Sequence, residues 1–265
     1  MNYKCTILGC GSSGGVPRVG MNWGACDPAN SKNRRLRCSL LVERNGAEGQ
    51  TSVLIDTSPD FRAQILTTRT TTLDGVLYTH DHADHTHGID DLRMIAFAMR
   101  RRVNVYFDEA TRASLMTRFG YCFETPEGSP YMPILNGHLI DGIQPIVIEG
   151  AGGPISAQPI LQQHGSIPSL GFRFGNFAYS PDVSDLPDSS LPLLEGLDVW
   201  IVDALRYTPH ESHFSVKQAL KWVERLKPKR TILTHMTSEL DYDTLLRELP
   251  AGVEPAYDGM TIQFD

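Results

Sequence analysis

The chain has 265 residues, 41% hydrophobic and 21% charged, a balance that suits a globular protein with a sizeable core rather than a disordered one. Its formal net charge of −7 argues against coating nucleic acid through a broad basic face, although a local basic pocket is compatible with it. No stretch approaches the ~18 uninterrupted apolar residues of a membrane helix, so no membrane partner is expected.

Five cysteines (Cys5, Cys10, Cys26, Cys38, Cys122) lack CxxC spacing and fit a reduced protein better than a disulfide framework. The opening residues MNYKCTILGCGSSGG carry neither the apolar run nor the cleavage site of a secretory signal, so the expected location is cytoplasmic. There is no internal repeat, low-complexity tract or long linker, and residues 1–265 read as a single domain.

In chain order, the first feature after a strand-like YKCTIL is GCGSSG, Gly9 to Gly14, which matches G-x-G-x-x-G. A dinucleotide site needs a helix directly after that loop, and Pro17, Gly20, Gly24 and Pro28 forbid one. The glycines instead suit a tight loop passing close to another backbone or to a metal site. Four short β-rich runs then end on polar residues: SVLID on Asp56, GVLYTH on His80, VWIVD on Asp203 and RTILTH on His235. Buried strands read this way, and groups just past strand ends are where open α/β sheets place ligands.

Residues 89–101 read as a helix with Leu92, Ile95, Ala96 and Met99 inward, and Arg100, Arg101 and Arg102 as its solvated cationic end. SVKQALKWVERLKP reads as another. It has a capping box from Ser215 to Gln218, one apolar face through Val216, Ala219, Leu220, Val223 and Leu226, and a stop at Pro228.

The densest chemistry is THDHADH. On a helix, His80, His82, Asp84 and His85 would point in several directions. On a loop leaving a strand they can converge, with two imidazoles on one ion and a carboxylate–imidazole pair on a neighbouring one. Imidazole and carboxylate ligands without thiolate suit Zn²⁺, Mn²⁺ or Fe²⁺.

With H-x-H-x-D-H after a strand, the sequence resembles the metallo-β-lactamase-fold hydrolases. That resemblance implies an αββα sandwich of two mixed β-sheets flanked by helices. It also implies two divalent metal ions, Zn or Mn: His80, His82 and His164 on one, Asp84, His85 and His235 on the other, and Asp182 bridging both. Asp56 would orient a ligand imidazole from behind. His87, His138 and His210 fall outside the motifs and are read as non-ligands.

GSSGGVPR, CDPANSKNRRLRCSLLV, THDHADHTHGIDDLR and YSPD are similar to the phosphodiesterase branch of the fold, whose members include phosphodiesterases that open a cyclic ribose phosphate. By that resemblance, Asp84 and Asp182 support catalysis by a metal-activated hydroxide, and His213 protonates the leaving alkoxide. Asn33, Arg34, Arg35 and Arg37 are candidate substrate-phosphate contacts, since guanidinium groups bind phosphate in a forked geometry.

A structural zinc of that branch needs clustered cysteines and a histidine shortly after the last catalytic one. Here the loop offers only Cys26, and Ser238 stands three residues past His235, so no structural zinc is expected. The expected substrate is a small cyclic ribose phosphate or nucleotide-like phosphodiester. A homodimer is left open.

Rival readings within the fold are the tRNA 3′-processing endonucleases, the pyrroloquinoline-quinone biosynthesis protein, and lactam or thioester hydrolysis. The tRNA enzymes carry a gripping arm between the third histidine and the bridging aspartate, where this chain has 17 residues. A redox di-iron protein would carry glutamate at position 82, where this chain has His82. A non-catalytic metal-binding scaffold would be expected to have lost ligands, and none is missing.

Overall fold

The computed structural model describes residues 3–142 and 144–264. Its first half supplies strands β1 (Tyr3–Gly9), β2 (Ser39–Gly46), β3 (Gly49–Ile55), β4 (Gly75–Leu77), β5 (Val103–Phe107) and β6 (Leu135–Leu139). Helices α1 (Phe61–Thr68), α2 (Ala83–Thr86), α3 (Leu92–Met99) and α4 (Glu109–Phe119) are interspersed among them.

The second half supplies β7 (Ile146–Ile148), β8 (Ile155–His164), β9 (Ile167–Phe174), β10 (Phe177–Ser180), β11 (Val199–Asp203) and α5 (Val216–Leu226). It continues with β12 (Arg230–Thr234), α6 (Tyr242–Glu248) and β13 (Val253–Pro255), and β14 (Thr261–Phe264) returns to pair with β1.

Two seven-stranded sheets result, ordered β14-β1-β2-β3-β4-β5-β6 and β13-β12-β11-β10-β9-β8-β7. Each is mixed in the same way. An antiparallel part gives way to parallel pairs, at β3–β4 in one sheet and β10–β11 in the other.

Why these runs are apolar throughout follows from the pleat. In β2, Leu40 and Val42 join the core shared by the two sheets, while Leu41 between them joins the cluster under α1, α3 and α4. In β3, Val53 and Ile55 face one way and Leu54 the other. A strand buried on both faces cannot alternate polar with apolar. On the second sheet, α5 and α6 contribute Val216, Ala219 and Leu245 to the shared core. The sandwich of two mixed sheets flanked by helices is thus the expected one.

The two helices read from sequence appear in trimmed form. Residues 89–91 are a 3₁₀ turn, and α3 stops at Met99 because Arg100 takes a left-handed conformation (φ 53°). Arg101 is not merely solvated, since it pairs with Asp74 at 2.8 Å. In α5 both arms of the Ser215–Gln218 capping box form.

The Gly9–Gly14 loop opens no helix. A side chain at Gly9 would meet the Arg37 carbonyl at 2.0 Å, and Gly11 bridges to both Arg37 and Met236. This is the close backbone approach that glycine permits. Among the described residues no helix is long and apolar enough to cross a membrane.

Candidate metal centre

The parallel strands of both sheets end at a common edge, and the chemistry-bearing residues sit there. Asp56 follows β3, His80 follows β4, and α2 carries Asp84 and His85 with His82 as its cap. From the other sheet, His164 is the last residue of β8, Asp182 lies two past β10, and His235 immediately follows β12. Asp56 (φ 61°) and His235 (φ 57°) occupy the left-handed region, which non-glycine residues rarely adopt and which clusters at functional sites.

The side chains form two facing groups whose ligand atoms lie within 4.8 Å of one another: His80, His82, His164 and Asp182, and Asp84, His85 and His235. Asp182 stands between them. Its Oδ2 faces His80 Nε2 (3.7 Å) and His164 Nε2 (3.6 Å), and its Oδ1 faces His85 Nε2 (3.1 Å) and His235 Nε2 (3.4 Å). Asp84 Oδ2 lies 3.6 Å from both His85 and His235. His82 is exposed and marks the mouth of the site.

Behind the imidazoles, acceptors fix which nitrogen is left bare. Asp56 Oδ2 accepts from His85 Nδ1 (2.7 Å) and from the Thr79 hydroxyl (2.8 Å), and its Oδ1 accepts from Thr79 N (2.8 Å). Because that hydroxyl donates to Asp56, it accepts from His80 Nδ1 (2.9 Å), so one carboxylate orients two imidazoles. The Ser212 carbonyl does the same for His164 Nδ1 at 2.6 Å. Thr79 and Ser212 were not singled out by sequence reasoning. Thr79 abuts the motif, but nothing in the sequence marks a backbone carbonyl 48 residues from His164 as its partner.

These residues fit metal ions. Nε2 of His80, His85 and His235 and Oδ1 of Asp182 are buried without a hydrogen-bond partner. Buried polar atoms are normally satisfied, and several aimed at one space mark a place for a cation.

The electrostatics agree. Burial alone would raise Asp182, but His235, His85 and His80 hold it well below the usual carboxylate range. Burial would lower His85, yet Asp182, Asp84 and Asp56 together push it up. Burial dominates at His80, which is lowered, and at His164, lowered to about 4, so both imidazoles favour the neutral form that binds metal.

His213 stacks on His235 (4.6 Å, 13°) and edge-on to His164 (4.6 Å). Its Nδ1 donates to Asp203 Oδ2 at 2.8 Å. Asp203 is buried and raised by that burial. Sequence reasoning noted it only as a strand end and gave it no role. His213 also groups with Asp182 and His235 as a ligand set, which leaves its atoms within reach of the centre.

His87 is exposed and meets Arg118 (3.2 Å), and His138 stacks on Tyr106, so neither joins the cluster. His210 is exposed, with Nδ1 accepting from Ser212 N, although its ring lies 5.3 Å from that of His213.

The arginine run divides, and one expectation is corrected. Arg35 is buried, donating to the carbonyls of Thr237 (3.0 Å) and Leu240 (2.6 Å) and to Asn33 Oδ1 (3.3 Å). Its guanidinium is committed to pinning the N-terminal loop to the segment after β12, so it does not contact substrate. Asn33 is buried in the same brace, donating to Asp241 at 2.7 Å. Cys26 Sγ faces the Ser238 and Leu240 carbonyls there. Arg37 pairs with Asp60 at 3.0 Å, and Arg34 is exposed over the Trp23 ring.

Fold and site together define a metal-dependent hydrolase of the metallo-β-lactamase fold. Residues 51–236 match the family model of the Beta-lactamase superfamily domain, and the chain belongs to that family.

A crystal structure of a new diphosphatase from the PhnP family is similar at 36% identity and TM-score 0.89, covering 100% of this chain and 98% of that one. An octanoyltransferase of Porphyromonas gingivalis is 30% identical over 99% of this chain, which spans only 52% of that longer protein. Zn(2+)-bound PqqB from Methylobacterium extorquens shares the fold at 18% identity and TM-score 0.72, covering 98% of this chain and 99% of its own.

Proposed function

We propose that the protein hydrolyses a phosphorus ester in a small soluble substrate, a cyclic ribose phosphate or a nucleotide-like phosphodiester, at a dinuclear metal centre. The observation that carries this is the split of the Asp182 carboxylate, one oxygen toward His80 and His164 and the other toward His85 and His235. His80, His82 and His164 would hold one ion, Asp84, His85 and His235 the second, and Asp182 both. Bound there, two divalent cations acidify water and neutralise charge on a phosphoryl group. The similarity to a diphosphatase supports chemistry at phosphorus.

The chain's own residues supply the proton. In hydrolysis the oxygen of water joins phosphorus, the P–O bond to the leaving group breaks, and the leaving oxygen takes up a proton. Asp203 holds Nδ1–H of His213, so Nε2 is the atom left to carry the transferable proton. Burial lowers His213, which makes its cationic form a readier donor. Arg34 and Arg37 are the guanidinium groups of their run that an anionic substrate could still meet. Residues 165–181 are taken up largely by β9 and β10, which leaves no tRNA-gripping arm between His164 and Asp182.

The test is a panel assay of metal-reconstituted protein against a cyclic ribose phosphate, 2′,3′-cyclic nucleotides, an aryl phosphodiester, a pre-tRNA and a lactam. Turnover of the small phosphodiesters is expected. Turnover of the lactam alone would overturn the reading.

A further inference from the structure

Three of the imidazoles at the centre are held from behind: Nδ1 of His80 by Thr79, of His85 by Asp56 and of His164 by the Ser212 carbonyl. His82 is different. Its ring is exposed, and its Nδ1 faces Nε2 of His164 at 3.2 Å, inside the centre. Among the described residues nothing accepts from its other nitrogen. A ring without that restraint takes its place from the backbone that carries it.

That backbone is gripped from α4. Ser114 and Arg118 lie four residues apart on one side of the helix. Both reach Asp81, the residue between His80 and His82. The Ser114 hydroxyl donates to Asp81 Oδ2 at 2.6 Å. Arg118 Nη2 donates to the same oxygen at 3.1 Å and to the Asp81 carbonyl at 2.6 Å. Arg118 Nη1 lies 3.2 Å from His87 Nε2, at the far end of α2. From the inner side, the Thr86 hydroxyl donates to the His82 carbonyl at 2.8 Å. The helix itself is fixed by the Asp108 cap on Thr111 N, at 2.8 Å, and by burial of Thr111 and Leu115.

We infer that Arg118 and Ser114 are positioning residues for the metal centre, which by fixing Asp81 set where His82 presents its imidazole. The inference rests on His82 being a ligand, as proposed above. Asp56 orients two rings from behind, and this clasp places a third through the main chain. A grip on substrate phosphate fits Arg118 less well, because Nη2 is engaged by Asp81 and Ser114 and Nη1 by His87. The Arg118 side chain is 32% exposed, so water competes for these bonds and the effect belongs at the low end for such partners.

Equilibrium dialysis of the full chain against Co²⁺ reads metal content, and the visible band of the bound ion reports its ligand set. Wild type should take up two ions. Arg118→Ala should weaken uptake of one ion about tenfold and alter its band, leaving the other ion unchanged. Ser114→Ala should lose less, because Arg118 still holds Asp81. Arg112→Ala, on the same helix but paired with Glu109, should bind as wild type does. Circular dichroism checks each fold. A cycle with His82→Ala decides the route: without that imidazole, Arg118→Ala should cost no further affinity. An equal loss with and without His82, or wild-type uptake by a folded Arg118→Ala protein, would overturn the inference. Turnover is not the readout, so two ions bound without phosphodiester cleavage would sink the hydrolytic reading alone. A wild type that takes up no ion would sink both.

Discussion

Asp56→Asn perturbs the ligand set without touching a ligand. The carboxylate accepts three hydrogen bonds, two from Thr79 and one from His85. An amide keeps one accepting oxygen and replaces the other with a donor. If that oxygen stays on Thr79 N, the NH₂ faces the Thr79 hydroxyl and His85 Nδ1. His85 then loses its partner, or moves its proton to Nε2, the atom aimed at Asp182.

A hydrogen bond to a buried charged group contributes about 1.5–3 kcal/mol. Since a tenfold change in affinity corresponds to about 1.4 kcal/mol, losing one such bond should weaken metal binding about 10–100-fold. Equilibrium dialysis against Zn²⁺ or Mn²⁺, with metal content measured, reads this directly, and circular dichroism checks the fold. Thr79→Val, which cuts only the link from Asp56 to His80, should lose less. Wild-type metal affinity in a folded Asp56→Asn protein would refute the reasoning.

Asp182→Ala should abolish turnover with the fold retained, and near-normal activity would exclude the dinuclear mechanism. His213→Ala should slow esters with poor leaving groups by about 10²–10⁴ while sparing activated aryl esters, and equal losses on both would remove its role as acid. Arg35→Ala takes one donor from the Thr237 carbonyl, which keeps Leu240 N at 3.3 Å, and one from the Leu240 carbonyl, which keeps Cys26 Sγ at 3.5 Å. A loss of about 1–3 kcal/mol in all is expected, which denaturant unfolding would register. Arg35→Lys should rescue it only in part, because a single ammonium nitrogen lacks the planar fork that sets Nη1 on the Thr237 carbonyl and Nη2 on the Leu240 carbonyl.

Burial pushes the Asp258 carboxyl up to about 7, against hydrogen bonds from Leu36 and Cys10. An unfolded aspartate titrates near 3.9, so between about 4 and about 7 the folded state holds the extra proton. The stability of wild type relative to Asp258→Asn should therefore fall as pH rises through that window and level off above it. A pH-independent difference in denaturant midpoint would contradict this.

The ligand set was readable to different depths. His80, His82, Asp84 and His85 are local, so their spacing alone announces a metal. His164 and Asp182 are single residues that only similarity to a family picks out, whereas His235 is also marked by the strand-like run that ends on it. Arg35 shows the limit. A run of arginines beside a glycine loop looks like a phosphate grip, yet one of them lies inside the protein, because carbonyls some 200 residues away needed a donor.

By itself the sequence determined where strands end, which helix carries a capping box, and that imidazole and carboxylate groups crowd those ends, since these properties depend on neighbours within a few positions. Tertiary structure alone decided that the Asp182 oxygens divide between two groups of imidazoles, that Asp203 holds His213, and that Thr79 links His80 to Asp56. Those relations join residues from different strands and from both sheets. Their distances are set by how the sheets pack, and no local pattern along the chain encodes that.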